Sequence, residues 1–254
     1  MRLAVLVRNQ CRCIIKYHLA ESPDVNDTGE VWLRREAVRR CASFVDVGAN
    51  VGEWLAEIVR EKRLAQFSAI AFEPSESAFQ RLEQRFANDP RIEIVNQALG
   101  DAIGSADFFE EQHAGKGSSI VAQFTRTPGT ARTVDVTTLD EEIARRNWEH
   151  VDFLKIDAEG YDLRVLRGAR ELLAGRRIGV VQFEYNRAWQ LAGDTLFGAL
   201  TLLRSFGYDV YVLRRDGLYT LDYARYEEYF EYSNFVGFSP AYHDIVNAYY
   251  RGVI

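Results

Sequence analysis

Three short apolar runs, each ending in an acid within a residue or two, constrain this chain more than anything else in it. They are Phe44-Val45-Asp46-Val47-Gly48, Ala71-Phe72-Glu73-Pro74 and Phe153-Leu154-Lys155-Ile156-Asp157-Ala158-Glu159-Gly160. Runs of four to six apolar residues bounded by turn residues read as strands buried on both faces. Helical periodicity follows each one: Trp54, Leu55, Ile58 and Val59 predict a helix over 53–64, and Phe79, Leu82 and Phe86 predict another after Ser75. Strand alternating with helix means a parallel sheet with crossover helices. Ligands of such a sheet lie at the carboxyl ends of its strands, where these acids fall.

The same rhythm predicts strands over 67–72, 92–95, 151–156, 178–183, 208–213 and 235–238, with 217–221 able to pair beside 208–213. Helices are expected over 31–41, 141–148, 161–173 and 195–205, the last stopped by Gly207. The pattern breaks over 100–132. There, segments 106–109 and 119–124 flank a Gly-Lys-Gly turn and read as an inserted β-hairpin region. Residues 1–40 do not share the pattern and are read as an N-terminal extension that packs on the core or covers its pocket. Residues 41–254 form the main domain.

Composition excludes several classes. The net charge of −6 argues against a nucleic-acid partner, which needs clustered cations along a backbone. The basic clusters Arg34-Arg35 with Arg39-Arg40, and Arg176-Arg177, read as solvated faces able to meet a phosphate on a small substrate. Cys11, Cys13 and Cys41 are too few for a disulfide framework or a closed zinc site, and free thiols suit the cytosol. No apolar stretch is long enough to span a membrane, so a soluble, cytoplasmic protein is expected.

The strand ends point to a cationic, nucleoside-like ligand. Gly48 and Gly52 let a ligand approach the turn after the first strand, but they do not complete the three-glycine dinucleotide fingerprint. Asp46 and Glu53 flank that turn, would repel a pyrophosphate, and would attract an ammonium. Asp46 alone also fits a turn-capping acid. Glu73 follows the second strand by the spacing at which an acid accepts from ribose hydroxyls, and it equally fits a helix cap before Ser75. Segment 96–101 can wall an adenine, with Asp101 either an acceptor for its amine or a plain turn residue. Asp157 and Glu184 end the next two strands.

These segments together resemble the FkbM-family methyltransferases, a branch of the class I S-adenosylmethionine-dependent enzymes. The likeness is carried by Val45-Asp46-Val47-Gly48-Ala49-Asn50-Val51-Gly52-Glu53-Trp54, Phe72-Glu73-Pro74, Ala98-Leu99-Gly100-Asp101, Val136-Thr137-Thr138-Leu139-Asp140, 152–161 and Ser233-Asn234-Phe235-Val236. It covers roughly residues 43–240. The resemblance implies an α/β, Rossmann-like fold whose seven-stranded, mostly parallel sheet runs 3-2-1-4-5-7-6 with the last strand antiparallel. It implies S-adenosylmethionine as cofactor, held by Asp46, Gly48, Asn50, Gly52, Glu73, Ala98, Leu99 and Asp157. An alcohol acceptor needs a base, for which Asp157 comes first, Glu159 second and His113 third. Mg²⁺ on Asp157 and Glu184, with Asn186 nearby, is a less favoured route to the same end.

The expected reaction is O-methylation of a sugar, a glycan or a related small metabolite, with a polyketide-type or other secondary alcohol as alternative acceptor. Tyr219, Tyr223, Tyr226, Tyr229 and Tyr232, with Trp148 and Trp189, are expected near the pocket mouth as sugar-facing aromatics. A nicotinamide-dependent oxidoreductase and a non-catalytic nucleoside-binding module are the competing classes.

Overall fold

The structure is a computed structural model. It describes residues 28–62, 66–109, 120 and 131–254, together with Leu3, Leu6, Val7, Gln10, Cys11, Cys13 and Ile14. Helix Glu30–Arg40 (α1) precedes an alternating run of Ser43–Val47 (β1), Glu53–Glu61 (α2), Ser68–Phe72 (β2), Glu76–Phe86 (α3) and Ile92–Val95 (β3). Then come Ala98–Leu99 (β4), Gly104–Phe109 (β5), Ala131–Thr137 (β6) and Leu139–Arg145 (α4). Alternation resumes with Val151–Ile156 (β7), Asp162–Arg167 (α5), Arg170–Ala174 (α6), Ile178–Tyr185 (β8), Arg187–Ala192 (α7) and Leu196–Ser205 (α8). The chain ends in Asp209–Arg214 (β9), Gly217–Thr220 (β10), Tyr223–Tyr226 (α9), Ser233–Phe238 (β11), His243–Tyr249 (α10) and Tyr250–Val253 (β12).

Nine strands form the main sheet in the order β3-β2-β1-β7-β8-β11-β9-β10-β12. The first seven positions reproduce the expected order, and β11 is antiparallel to both β8 and β9. The count of seven is corrected to nine. A two-residue turn at Arg215-Asp216 folds β10 back on β9, and β12 pairs with β10 in parallel. These short strands cover an edge that would otherwise present unpaired backbone groups. Sequence pattern suggested β10, but Tyr250-Arg251-Gly252-Val253 carries no alternation that would reveal β12.

The anticipated hairpin region is a separate three-stranded sheet, β4-β6-β5, with β5 and β6 antiparallel. Of the expected strand over 119–124, only Ile120 lies within the described residues. The helix expected over 161–173 is two helices, α5 and α6, broken at Gly168. A Cβ at Gly168 would overlap the carbonyl oxygen of Gly100, so the break lets the β4 segment approach. Cys41 is buried, Cys11 and Cys13 are exposed, and all three are free. No helix among the described residues is long and apolar enough to cross a membrane.

The strands place their side chains alternately on the two faces. Val45, Val47, Leu154, Ile156 and Phe183 pack with α5, α6 and α8 on one face. Phe44, Phe153, Val180 and Val236 pack with α1, α2 and α3 on the other. By the same alternation Asp46 falls on the face of Phe44, and Lys155 on the face of Phe153. That face carries the polar groups described next.

Replacing Gly168 by Ala is expected to destabilise the fold by at least about 1–3 kcal/mol, because the Gly100 backbone must move to admit the methyl group. The midpoint of urea unfolding measures it, and an unchanged midpoint would refute the close-approach role.

Candidate active site

A cavity of about 1140 Å³ opens at the carboxyl ends of β1, β2, β7 and β8. Its inner wall starts from strand register. Asp46 on β1 and Lys155 on β7 are direct cross-strand partners, and Lys155 is in turn opposite Gln182 on β8. Glu184 on β8 pairs with Asn234 on β11. A polar row thus crosses four adjacent strands on one face.

Lys155 holds this row together. Its ammonium lies 3.0 Å from Asp157 Oδ2 and 3.9 Å from Asp46 Oδ1. Burial alone would lower its pKa, but the charges of Asp157, Asp46 and Glu30 overcome that and raise it, so the ammonium stays protonated. Asp46 is 1% exposed, and neither of its carboxylate oxygens has a hydrogen-bond partner among the described residues. Burial pushes its pKa up to about 6, against the pull of Lys155.

Glu73 ends β2 and holds the neighbouring turns. Its Oε2 accepts from the Asn50 amide at 2.7 Å and its Oε1 from the Ser75 amide at 2.8 Å. Burial raises its pKa to about 7 in spite of these bonds. Asn50 sits at φ 49°, a left-handed conformation that Asn tolerates. At Gly48, φ 75°, a Cβ would overlap the carbonyl oxygen of Asp157, so the turn closes against the β7 end only because glycine is there.

The loop after β7 carries Asp157 and Glu159 into the cavity wall. Glu159 adopts φ 48°, an unfavourable conformation of the kind that concentrates at functional sites. Asp162 closes this loop underneath. It accepts from Gly160 N at 3.2 Å and Glu184 N at 3.4 Å, and burial raises its pKa to about 7. Glu184 accepts from Asn186 Nδ2 at 2.5 Å and is raised well above the carboxylate range by burial and then by Asp157 and Glu159.

Most of the candidate residues converge here. Asp46, Gly48, Asn50, Glu73, Ala98, Leu99, Asp157, Glu159 and Glu184 all line the cavity. Gly52 does not. A Cβ on it would lie 2.6 Å from Leu82 and Phe86, so its bareness serves α2–α3 packing. Asp101 is exposed and lines a separate groove of about 250 Å³ with Asp140 and Arg167, away from any adenine wall in the cavity. His113 lies outside the described residues. Among the described residues no group of three or more His, Cys, Asp or Glu is arranged to hold a metal ion.

The aromatic expectation is corrected. Of the five tyrosines only Tyr232 lines the cavity, joined by Tyr161 and Trp54. Tyr223 donates to Glu228, Tyr229 donates to Ser233, and Tyr219 and Tyr226 pack against the core. Trp189 is fully buried and donates to the Glu184 carbonyl, and Trp148 packs against the core. An apolar floor under the C-terminal segment outcompetes exposure for these rings.

Sequence reading also missed two residues. Glu30, the first residue of α1, lines the cavity and accepts from Asn234 Nδ2 at 3.1 Å. Asn234 also donates to the Tyr232 hydroxyl at 3.3 Å. For Asn234, an asparagine inside an otherwise apolar strand was the available signal, since buried polar residues need partners, and for Glu30 there was none.

A doubly wound sheet with this strand order, a glycine turn after β1 and acids at successive strand ends define a Rossmann-like class I methyltransferase. Residues 46–210 match the family model of the methyltransferase FkbM domain, and the chain belongs to that family. Among solved structures, a methyltransferase FkbM from Methylobacillus flagellatus KT is similar at TM-score 0.51 and 17% identity, over 78% of this chain and 44% of that one. The chain therefore spans less than half the length of that protein. The precorrin-6y C5,15-methyltransferase of Geobacter metallireducens GS-15 is similar at TM-score 0.43 and 11% identity, over 82% of this chain and 88% of that one. Aeropyrum pernix fibrillarin, in complex with natively bound S-adenosyl-L-methionine, is similar at TM-score 0.43 and 11% identity, over 79% and 67%. No curated protein matches the sequence.

Asp46 has a folded pKa raised above its unfolded value, so it stabilises the fold less as pH rises through about 6. Asp46→Asn removes that titration. The variant is expected to gain stability relative to wild type between pH 5 and pH 8, by about 1.4 kcal/mol, because only the span from pH 5 to about 6 contributes. Denaturant unfolding of both proteins at the two pH values measures it, and a pH-independent difference would refute the burial argument.

Proposed function

We propose that this chain is an S-adenosylmethionine-dependent O-methyltransferase acting on a hydroxyl of a sugar, a glycan or a related small metabolite, with a polyketide-type or other secondary alcohol as the alternative acceptor. The observation that carries the reading is the buried Asp46 carboxylate, without a hydrogen-bond partner among the described residues, in a cavity lined by several acids beside a turn only glycine can make. The donor set fits the cofactor. Its ammonium and sulfonium suit the acids. Glu73 retains acceptor capacity for ribose hydroxyls beyond the two amides it holds. Ala98 and Leu99 offer an apolar wall to the base.

When bound, the cofactor supplies an electrophilic methyl group. The protein's part is alignment, exclusion of water and removal of one proton from the acceptor. Asp157 is the base. The Lys155 ammonium donates to its Oδ2 at 3.0 Å and fixes it in the cavity wall. An alcohol is too weak an acid to yield its proton to a carboxylate in advance. It receives the proton as the oxygen gains its new bond. Glu159, two residues on, is the second candidate. Trp54, Tyr161 and Tyr232 present apolar faces to the same cavity, and carboxylates accept from vicinal hydroxyls, which together suit a sugar ring.

Glu73→Ala is expected to weaken S-adenosylhomocysteine binding by about 1–3 kcal/mol. Calorimetric titration measures it, and unchanged affinity would remove the ribose role. Asp157→Ala is expected to slow single turnover by at least about 10²-fold while S-adenosylhomocysteine affinity shifts far less. A near-wild-type rate would move the base to Glu159. Label from the cofactor appearing on amine, thiol or carboxylate acceptors alone would defeat O-methylation.

A further inference from the structure

The cavity's charges differ between floor and mouth. Its most deeply buried groups are the acids Asp46, 1% exposed, and Glu73, 5%, beside the ion-paired cations Lys155 and Arg34, and Glu53 is an exposed acid of the lining. Its exposed cations are arginines on three different helices: Arg35 on α1, Arg60 on α2, and Arg81 and Arg85 on α3. Two of these are engaged. Arg60 pairs with Glu57, and Arg85 donates to the Val51 carbonyl at 2.7 Å. Arg35 and Arg81 have neither an ion-pair nor a hydrogen-bond partner among the described residues. Trp54 lines the same cavity, and its buried indole N–H has no acceptor among the described residues.

The cofactor does not account for this mouth. Its net charge is positive, which favours the acids rather than a set of arginines. A neutral acceptor would not account for it either. In a chain of net charge −6, arginines from three separate helices line this one opening. Guanidinium groups bind oxyanions by charge-assisted hydrogen bonds, often in pairs, and a field of one sign at a cleft mouth raises the local concentration of the opposite charge.

We infer that the acceptor carries an oxyanion, the phosphate of a sugar phosphate or nucleotide sugar or the carboxylate of a uronic acid, and that Arg35 and Arg81 hold it at the mouth while the hydroxyl to be methylated reaches Asp157. This rests on the methyltransferase reading and specifies its substrate class. Both arginines are specificity residues at the entrance and take no part in bond making.

The test uses the full chain saturated with S-adenosylhomocysteine. Inorganic pyrophosphate and glucuronate are titrated separately into wild type and into the double variant Arg35→Gln/Arg81→Gln. At least one probe is expected to bind wild type, and to bind the double variant at least about tenfold more weakly. S-adenosylhomocysteine affinity should differ less than about twofold, which also reports that the variant folds. Binding of pyrophosphate identifies a phosphate ligand, and binding of glucuronate alone a carboxylate. The inference is overturned if neither probe binds wild type, or if the variant binds equally well. Failure of S-adenosylhomocysteine itself to bind would instead overturn the methyltransferase reading.

Discussion

A buried ammonium between two carboxylates is the interaction on which the site depends. Lys155 lies in the middle of an apolar strand, with side-chain exposure of 10%. An isolated charge there would cost several kcal/mol, so its partners are obligatory. Asp46 is supplied by strand register and Asp157 by the first residue past the strand. The consequence is geometric. The β1 and β7 ends cannot slip relative to each other without stranding a charge, and the crevice between them keeps its shape. The glycine turn at Gly48, which closes on the Asp157 carbonyl, reinforces the same junction.

The surplus of acids around this lysine determines what the cavity prefers. One ammonium faces Asp46, Asp157 and Glu30, while Glu73, Asp162 and Glu184 have pKa values driven upward by burial. Ionising such carboxyls together is costly, and a nearby cation offsets part of that cost. A ligand with concentrated positive charge therefore gains twice, from direct attraction and from relief of repulsion among the acids. A dinucleotide pyrophosphate would meet the opposite on both counts.

Much of this was legible because strand ends are punctuated in sequence. The acids after the β2 and β7 runs and the glycine turn after β1 were visible as local patterns, and local patterns fix where a doubly wound sheet puts its site. What could not be read was long-range. Glu30 reaches the cavity only because α1 packs across α2, and nothing near Glu30 in sequence announces that. The tyrosine series looked like a sugar platform because composition does not say which face is covered. Tyr185, with rings of Tyr229 and Phe230 against it, shows that these aromatics fill the space under the C-terminal segment. The ninth strand pairs by edge geometry alone.

Helix α1 has a role its position beside the cavity does not fully express. At its first residue it touches the polar row through Asn234. Two residues later, Trp32 stacks on Tyr249 at 4.2 Å and donates to the Arg214 carbonyl at 2.8 Å, at the opposite edge of the sheet. Further along, Glu36 accepts from the Tyr249 hydroxyl at 2.9 Å. One short helix therefore joins the ligand cavity to the β9–β10 hairpin and α10. Local opening of that edge must loosen Glu30, and a cation held near Glu30 must resist the opening. Amide exchange in α1 and α10 is thus a remote gauge of what occupies the cavity, in the currency of local unfolding free energy.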